Sequence, residues 1–177
     1  MNQRNSTAKF IFISFMVSLM WVVPAGAFGE KDLTPQEMLG KLLFFDTNLS
    51  TPKGQACAVC HSPETGFTGP VSVINATIAV YPGAVPTRFG NRKPPTSAYG
   101  GDSPVLYYDS VEGLWIGGMF WDGRATGETL GDPLAEQAQG PFLNALEQNI
   151  ASAKGVVDKV LASNYSHLFK KCVREKL

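Results

Sequence analysis

Two cysteines and a histidine stand together in the segment Cys57-Ala58-Val59-Cys60-His61. The chain contains only three Cys and two His, so three of its five such residues fall within five consecutive positions. Cysteines at this spacing can each form a thioether with a vinyl group of one haem, while the histidine after the second cysteine ligates the iron. The segment therefore predicts one covalent c-type haem site, with Cys57 and Cys60 as attachment residues and His61 as the metal ligand.

Two other chemistries fit parts of the same segment. A Cys-x-x-Cys pair also serves as a redox dithiol, but the surrounding sequence lacks the strand-helix-strand pattern typical of a thioredoxin-like site. A zinc site would need His167 and Cys172 as its remaining ligands, and both lie more than a hundred residues further along the chain. Such a zinc site also leaves His61 without a role. Covalent haem is the interpretation that accounts for all three residues.

The composition is consistent with a single cofactor-containing domain. The chain has 177 residues, of which 44% are hydrophobic, and this is enough to bury one ordinary core. Its net charge of zero gives no electrostatic basis for binding nucleic acid or an acidic membrane surface. The 18 Gly and 12 Pro indicate long irregular loops, which suit a haem protein because the cofactor supplies a large apolar surface.

The first residues have the pattern of an export signal. Arg4 and Lys9 precede the apolar run 10–23, and Pro24-Ala25-Gly26-Ala27 provides a small-residue cleavage site. We expect a signal peptide over residues 1–27, export to the periplasm, and a mature haem domain over residues 28–177. The alternative is a membrane anchor, but the apolar run is shorter than the about twenty residues that a stable membrane span needs.

The mature chain opens with a pattern typical of a helix start. Thr34 stands at an N-cap position, Pro35 at the first helical position, and Glu37 where its side chain can complete a capping box. Apolar residues then recur at helical spacing, which predicts a buried helix face. These residues are Met38, Leu39, Leu42 and Leu43.

The middle of the chain carries weaker patterns. The run 71–80 is rich in β-branched residues and predicts a short strand or an extended segment. Residues 81–118 show neither the helical nor the strand period, and Gly, Pro, Ser, Tyr and Asp dominate there. We expect this stretch to be a loop wrapped around a cofactor or a neighbouring domain.

The last third of the chain has helical patterns. They begin at Asp132-Pro133, at Asn144, at Ser152 and at about Tyr165. Gly140-Pro141 is predicted to end the first helix, and Glu147, three residues after Asn144, favours a new helix there. The sequence therefore predicts a mainly α domain with long irregular loops.

Several short motifs follow one another in a defined order. LGKLLFFD at residues 39–46 comes first, and Gly66-Phe67-Thr68 comes after the haem segment. FWDGRA at residues 120–125 and EQAQGP at residues 136–141, followed by Glu147, complete the series. In content and order these motifs resemble those of bacterial di-haem cytochrome c peroxidases and their MauG relatives, from the first helix to about residue 149.

The resemblance implies a cytochrome c-like haem domain from a periplasmic enzyme that has two such halves. An enzyme of this kind reduces hydrogen peroxide to water with electrons from a small donor, either a cytochrome or a copper protein. The resemblance implies that Cys57 and Cys60 hold the haem at which peroxide reacts, and that His61 is the proximal ligand of its iron.

Three further side chains fall at functional positions of the family. The resemblance places Gln137 and Glu147 in the distal pocket and Trp121 between the two haems. A carboxylate above the ring can carry the proton that cleavage of a peroxide O–O bond requires, which favours Glu147 for that role and Gln137 for orienting peroxide. From the residues alone, Glu147 also fits a helix-start box with Asn144, Gln137 a solvated position, and Trp121 a core aromatic. Arg124 fits either a contact to a haem propionate or a surface ion pair.

Two departures from the family pattern affect the site. Many members carry a histidine in the loop after the haem segment, but this chain has none between His61 and His167. We therefore expect a distal site that is open, or occupied by something other than that histidine, without the reductive switch that this histidine provides. Lys93 stands where the family commonly has an asparagine tied to an inter-domain calcium site, and a cation there argues against calcium binding.

A second Cys-x-x-Cys-His segment is absent from the sequence. We expect the chain to correspond to the N-terminal half of a longer relative rather than to a complete mono-haem peroxidase, and Cys172 to be a free thiol. Two other functions stay open. One is a mono-haem electron-transfer cytochrome with Met119 or Met38 as sixth iron ligand, and the other is MauG-like oxidation of a partner protein. A homodimer is also left open.

Overall fold

The computed structural model describes residues 33–175, and the regular structure in that range is mainly α, as predicted. The predicted signal peptide, residues 1–27, lies outside the described residues. The described helices are α1 (Pro35–Phe45), α2 (Cys57–Cys60), α3 (Ser72–Thr77), α4 (Pro133–Leu143), α5 (Ala153–Leu161) and α6 (Ser166–Arg174). Strands β1 (Tyr107–Asp109) and β2 (Leu114–Ile116) form an antiparallel hairpin, and 3-10 turns occur at Pro63–Thr65 and Gly100–Asp102. None of the helices in this range is both long and apolar enough to cross a membrane.

Helix α1 begins as its sequence predicts. The Glu37 backbone N–H donates to the Thr34 hydroxyl oxygen at 3.3 Å, and the Thr34 backbone N–H donates to the Glu37 carboxylate at 2.8 Å. This reciprocal pair satisfies two backbone donors that the first helical turn leaves without intrahelical partners. The capping box is therefore confirmed, with Pro35 in the first turn as expected.

Helices α1, α5 and α6 enclose the apolar core. Its buried residues are Leu39, Leu49, Val160 and Tyr165. The Tyr165 hydroxyl donates to the Asp46 carboxylate just after α1, which joins the start of α6 to the end of α1. The Lys159 ammonium group on α5 donates to the Asn48 and Ser50 carbonyl oxygens at 3.2 and 3.1 Å. These contacts hold the loop that leads from α1 to the haem segment.

The segment 71–80 is not extended, so that prediction is wrong. It contains the helical turn α3, which is closed by bonds such as the one from the Asn75 backbone N–H to the Val71 carbonyl at 3.0 Å. The Tyr81 hydroxyl accepts a hydrogen bond from the Val71 backbone N–H at 2.8 Å and donates to the Asn75 side chain at 3.2 Å. These contacts fold the segment back on itself and override the strand preference of its β-branched residues.

The region after position 132 differs from its prediction in two places. Helix α4 continues through Gly140-Pro141 to Leu143, because a proline in the last turn removes only one helical hydrogen bond. Asn144 then ends α4 instead of starting another helix. The Asn144 side chain accepts from the Leu146 backbone N–H at 3.0 Å and donates to Glu147 at 2.8 Å, which forms a turn. The predicted helices after Ser152 and Tyr165 are confirmed as α5 and α6.

Within the stretch expected to be a loop, the hairpin pairs Tyr107 with Ile116 and Asp109 with Leu114. Each strand has only three residues, which is too short to leave a recognisable alternation in the sequence.

Gly83, in the same stretch, lies against the turn that carries Glu147. A Cβ atom at Gly83 would collide with the carbonyl oxygens of Leu146 and Glu147, so only glycine permits this close approach.

Val160→Ala tests the position of the core. Val160 is 4% exposed and Val157 on the same helix is 39% exposed, so truncating Val160 should lower the free energy of unfolding by about 2 kcal/mol. Val157→Ala is the matched control and should cost less than about 0.5 kcal/mol. Chemical denaturation measures both values, and equal losses would contradict this description of the core.

Gly83→Ala tests the close approach to the Glu147 turn. We expect a loss of about 1–3 kcal/mol in the free energy of unfolding, because a methyl group at that position displaces backbone. Gly40→Ala, in the exposed part of α1 with no atom within 4 Å of the added methyl group, is the control. It should stabilise the protein by about 1 kcal/mol. A tolerated alanine at Gly83 would show that the two segments do not pack as described.

Candidate functional site

Helix α2 is a single turn that consists of the Cys-x-x-Cys segment itself. Because residues three apart on a helix share a face, Cys57 and Cys60 present their sulfur atoms on the same side. The His61 backbone N–H donates to the Cys57 carbonyl oxygen at 2.9 Å and ends the turn. The local fold therefore groups all three residues of the predicted haem segment.

The His61 ring is oriented by two backbone carbonyl groups. Its Nδ1 atom lies 3.1 Å from the Phe67 oxygen and 2.9 Å from the Pro95 oxygen. A carbonyl oxygen can only accept a hydrogen bond, so Nδ1 carries a proton, and in the neutral ring Nε2 then keeps its lone pair. This is the tautomer that a histidine needs to ligate a metal through Nε2, with its other nitrogen held by a hydrogen bond.

The segments that supply these two carbonyl groups are hydrogen-bonded to each other. The Ser97 backbone N–H donates to the Phe67 carbonyl oxygen at 3.1 Å, and the Thr96 hydroxyl donates to the Gly66 carbonyl oxygen at 2.7 Å. The residues of Gly66-Phe67-Thr68 thus contribute backbone to the His61 environment, and the distant segment around Pro95 supplies the rest.

A buried glutamine contacts the second cysteine. The Gln55 side-chain amide donates to the Cys60 sulfur at 3.3 Å, and the Gln55 backbone N–H donates to the Ser50 hydroxyl oxygen at 3.0 Å. Ser50 is fully buried and Gln55 is 8% exposed. The position of the Cys60 sulfur is therefore tied to the loop after α1. Sequence reasoning missed Gln55 because nothing in its spacing distinguishes it from an ordinary loop residue.

The environment of the cysteines disfavours both alternative chemistries. Burial raises the pKa of both thiols, to about 11 for Cys60, whereas a redox dithiol needs a thiolate of lowered pKa. Among residues 33–175, no three His, Cys, Asp or Glu side chains are grouped in a way that could hold a metal ion. The zinc alternative is therefore wrong for the described part of the chain. Cys172 instead packs against the core of α1, α5 and α6.

Glu147 is the predicted site residue whose charge acts on both cysteines of the haem segment. Burial raises the pKa of the Glu147 carboxyl group, although the hydrogen bond from Asn144 and the charge of Arg124 oppose that shift. Burial is the largest cause of the raised pKa of Cys57 and Cys60, and the Glu147 charge raises both pKa values further. The carboxylate is thus within electrostatic reach of the haem segment. Its backbone is held by the Ala84 N–H, which donates to the Glu147 carbonyl oxygen at 2.7 Å.

The other two predicted catalytic residues differ in exposure. Gln137 is half-buried within α4, on the helix that precedes the Glu147 turn. Trp121 is 64% exposed, and its indole N–H donates to the Lys93 carbonyl oxygen at 3.1 Å. The prediction of a core position for Trp121 is therefore wrong for the described residues, because most of its side chain is exposed.

Arg124 takes the ion-pair position that was one of its two predicted roles. Its guanidinium group pairs with Asp122 at 2.7 Å and lies 3.6 Å from the centroid of the Phe120 ring. Its charge also acts on Glu147. Arg124 thus connects the FWDGRA motif electrostatically to the carboxylate beside the haem segment.

A second glutamine was not singled out from the sequence. Gln148 is 2% exposed, and neither its amide nitrogen nor its amide oxygen has a hydrogen-bond partner. Its place directly after Glu147 is the only sequence signal that could have drawn attention to it. A buried amide without a protein partner is rare in native proteins, and such groups are commonly paired with an ordered water.

The residues present fit a covalently bound haem. Cys57 and Cys60 offer two thiols on one helical turn, and His61 offers a free Nε2. The half-buried Glu147 carboxylate supplies a polar group from another segment. No other set of residues in the range 33–175 combines thiol and imidazole ligands of this kind.

Comparisons with known proteins agree with this site. The profile of the family described as di-haem cytochrome c peroxidase matches residues 34–176. Methylamine utilization protein MauG from Paracoccus denitrificans is 32% identical over 169 residues, which covers 91% of this chain and 42% of that protein. Cytochrome c551 peroxidase from Pseudomonas aeruginosa is 32% identical over 147 residues, which covers 81% of this chain and 34% of that protein.

The fold is also similar to that of a solved enzyme. The diheme peroxidase BthA from Burkholderia thailandensis superposes with a TM-score of 0.63 at 31% identity, over 76% of this chain and 34% of that one. The chain therefore spans less than half the length of these relatives. Because the family profile covers most of the sequence and the chain is 32% identical to MauG over 91% of its length, the chain belongs to the di-haem cytochrome c peroxidase family.

Proposed function

We propose that this chain is the peroxide-reacting haem domain of a cytochrome c peroxidase-type oxidoreductase in the periplasm. The observation that carries the proposal is the half-buried Glu147 carboxylate within electrostatic reach of a Cys-x-x-Cys-His turn whose histidine has a free Nε2. Cys57 and Cys60 would hold the haem, and His61 would ligate its iron through Nε2. When bound, the haem supplies an iron centre that binds peroxide and takes up electrons.

The reaction converts one hydrogen peroxide, two protons and two electrons into two molecules of water. Glu147 would accept a proton from one oxygen atom of the peroxide and return it to the other, which leaves as water. Gln137 orients the peroxide by hydrogen bonds from its amide group. Burial keeps Glu147 basic enough for this role, because it raises the pKa of its carboxyl group.

The electrons come from a small cytochrome or copper protein and reach this domain through a second haem domain of the kind found in the family. Trp121 offers an aromatic route for them, and its 64% exposure supports a position against another domain or protein. The chain has no histidine between His61 and His167, which supports a distal site that is open or is occupied by something other than such a histidine. Lys93 remains an argument against calcium at this site.

A second candidate function is the MauG-like oxidation of a partner protein that the sequence resemblance implies. The similarity to MauG from Paracoccus denitrificans, over 91% of this chain, supports it. The exposed Trp121 serves this function equally well, as the residue through which an electron from the partner enters this chain. Donor-dependent peroxide turnover favours the peroxidase, whereas peroxide-dependent oxidation of a partner without a donor favours the alternative.

Replacing the attachment residues tests the cofactor. Cys57→Ser with Cys60→Ser should abolish covalent haem when the chain is expressed in a host that matures c-type cytochromes. Cys172→Ser is the matched control and should retain one haem per chain, because Cys172 packs in the core. Intact mass under denaturing conditions measures attachment, and loss of haem in the Cys172 variant alone would contradict the proposal.

Glu147→Gln tests the proton-transfer role. We expect the reaction of the haem-loaded chain with peroxide to slow by about 10²–10⁴-fold in stopped-flow measurements, since an amide cannot accept the proton. Glu112→Gln, at an exposed position in the hairpin turn, is the control and should react at the wild-type rate. Equal rates for the wild type and the Glu147 variant would exclude Glu147 as the proton carrier.

The pH dependence gives a further readout of the same prediction. Because the carboxylate must be ionised to accept a proton, the wild-type rate should fall as the pH drops through the raised pKa of Glu147. Arg124→Gln removes a positive charge that lowers this pKa, so the acid limb of the profile should move to higher pH. Arg124→Lys should restore it, and a shift to lower pH in the glutamine variant would contradict the assignment.

A further inference from the structure

Gln55 is a buried side chain that touches the haem segment and has no role in the proposed mechanism. Its amide N–H donates to the Cys60 sulfur at 3.3 Å, and the residue is 8% exposed. Sulfur is a weak hydrogen-bond acceptor both in a thiol and in a thioether, so the same contact is available when Cys60 carries a haem. The contact therefore acts on an atom of the attachment site itself.

The loop over residues 47–55, which carries Gln55, is anchored to the helical core. The Gln55 backbone N–H donates to the Ser50 hydroxyl oxygen at 3.0 Å, and the Ser50 hydroxyl donates to the Pro52 carbonyl oxygen at 2.8 Å. Ser50 is fully buried, and its carbonyl oxygen accepts from the Lys159 ammonium group on α5 at 3.1 Å. Gln55 thus holds the Cys60 sulfur from a backbone that is itself fixed.

The same loop is bonded to the turn that carries Glu147. The Thr51 backbone N–H donates to the Gln148 carbonyl oxygen at 2.8 Å, and the Thr51 carbonyl oxygen accepts from the Asn149 side chain at 2.7 Å. Gln148 and Asn149 directly follow Glu147 in the chain. The 47–55 loop therefore contacts the haem segment on one side and the Glu147 turn on the other.

This arrangement matters because proton transfer depends on distance, and a misplacement of about 1 Å can slow an enzymatic step about 10²-fold. A haem attached through Cys60 moves with the sulfur of that residue. A Cys60 side chain that changed its rotamer would therefore move the ring relative to Glu147.

We propose that Gln55 is a positioning residue, which holds the Cys60 sulfur and thereby sets the distance between the bound haem and the Glu147 carboxylate. The inference rests on the haem site and on the proton-transfer role of Glu147 in the proposed function. Gln55 acts through Cys60 and the 47–55 loop, and it makes no contact with peroxide.

Resonance Raman spectroscopy of the haem-loaded chain tests the contact without turnover. The C–S stretching bands of the wild type should shift after full exchange into D2O, because the Gln55 N–H that donates to sulfur becomes N–D. Gln55→Met keeps the side-chain length but removes the donor, so its C–S bands should not respond to D2O. Gln139→Met, at an exposed position on α4, is the matched control and should shift as the wild type does. A wild type without the shift, or a Gln55→Met variant that keeps it, overturns the proposal.

A double-mutant cycle tests the positioning role. Gln55→Met should slow the reaction with peroxide about tenfold or more in stopped-flow measurements. In a Glu147→Gln background, the same substitution should slow the reaction by no more than about twofold, because there is no longer a proton transfer that the geometry can serve.

Two results of this cycle count against the proposal. An unchanged rate in Gln55→Met overturns it, and so does an equal loss in both backgrounds, which indicates a general structural role. If Gln55→Met does not mature, Gln55→Glu provides the same test, since an ionised carboxylate has nearly the same shape and no donor. A wild type that shows the D2O shift but does not react with peroxide would support the sulfur contact and reject only the peroxidase function.

Discussion

The hydrogen bonding of His61 Nδ1 to two backbone carbonyl groups is the contact on which the rest of the site depends. It selects the tautomer that leaves Nε2 free, and it draws together the loop after α2 and the distant segment around Pro95. Those two loops are themselves joined through Phe67 and Ser97. A chain with long stretches outside helices and strands can hold a metal ligand this firmly because the ring is fixed by backbone rather than by flexible side chains.

The polar side of the site is built from a different part of the chain. Helix α4 ends at Asn144, and the turn that follows carries Glu147. Gly83 packs closely against the backbone of this turn. Burial raises the pKa of this carboxyl group, and the nearby Arg124 charge limits the rise. The position of the carboxylate and its raised proton affinity therefore come from the same packing, and a carboxyl group perturbed in this way is typical of proton-transfer sites.

The sequence predicts those features whose signals are local. The predicted helix starts at Thr34 and Ser152 are confirmed. A helix cap and the first turn depend on four consecutive residues, so the sequence carries their signal locally. The Asn144 pattern predicts a helix start, and this prediction is wrong. The same spacing of Asn and Glu forms a turn here because the preceding helix ends at Asn144. Gln148 escaped notice because its setting depends on Thr51, which is far away in the chain and adjacent only after folding.

The most direct test of this account is a crystal structure of the haem-loaded ferric chain, with the iron located by its anomalous scattering. The account predicts that His61 Nε2 is bonded to the iron, that Cys57 and Cys60 are linked to the same porphyrin, and that the Glu147 carboxylate lies over the opposite face. An iron ligated by another side chain in place of His61, or a Glu147 carboxylate directed away from the porphyrin, would contradict it.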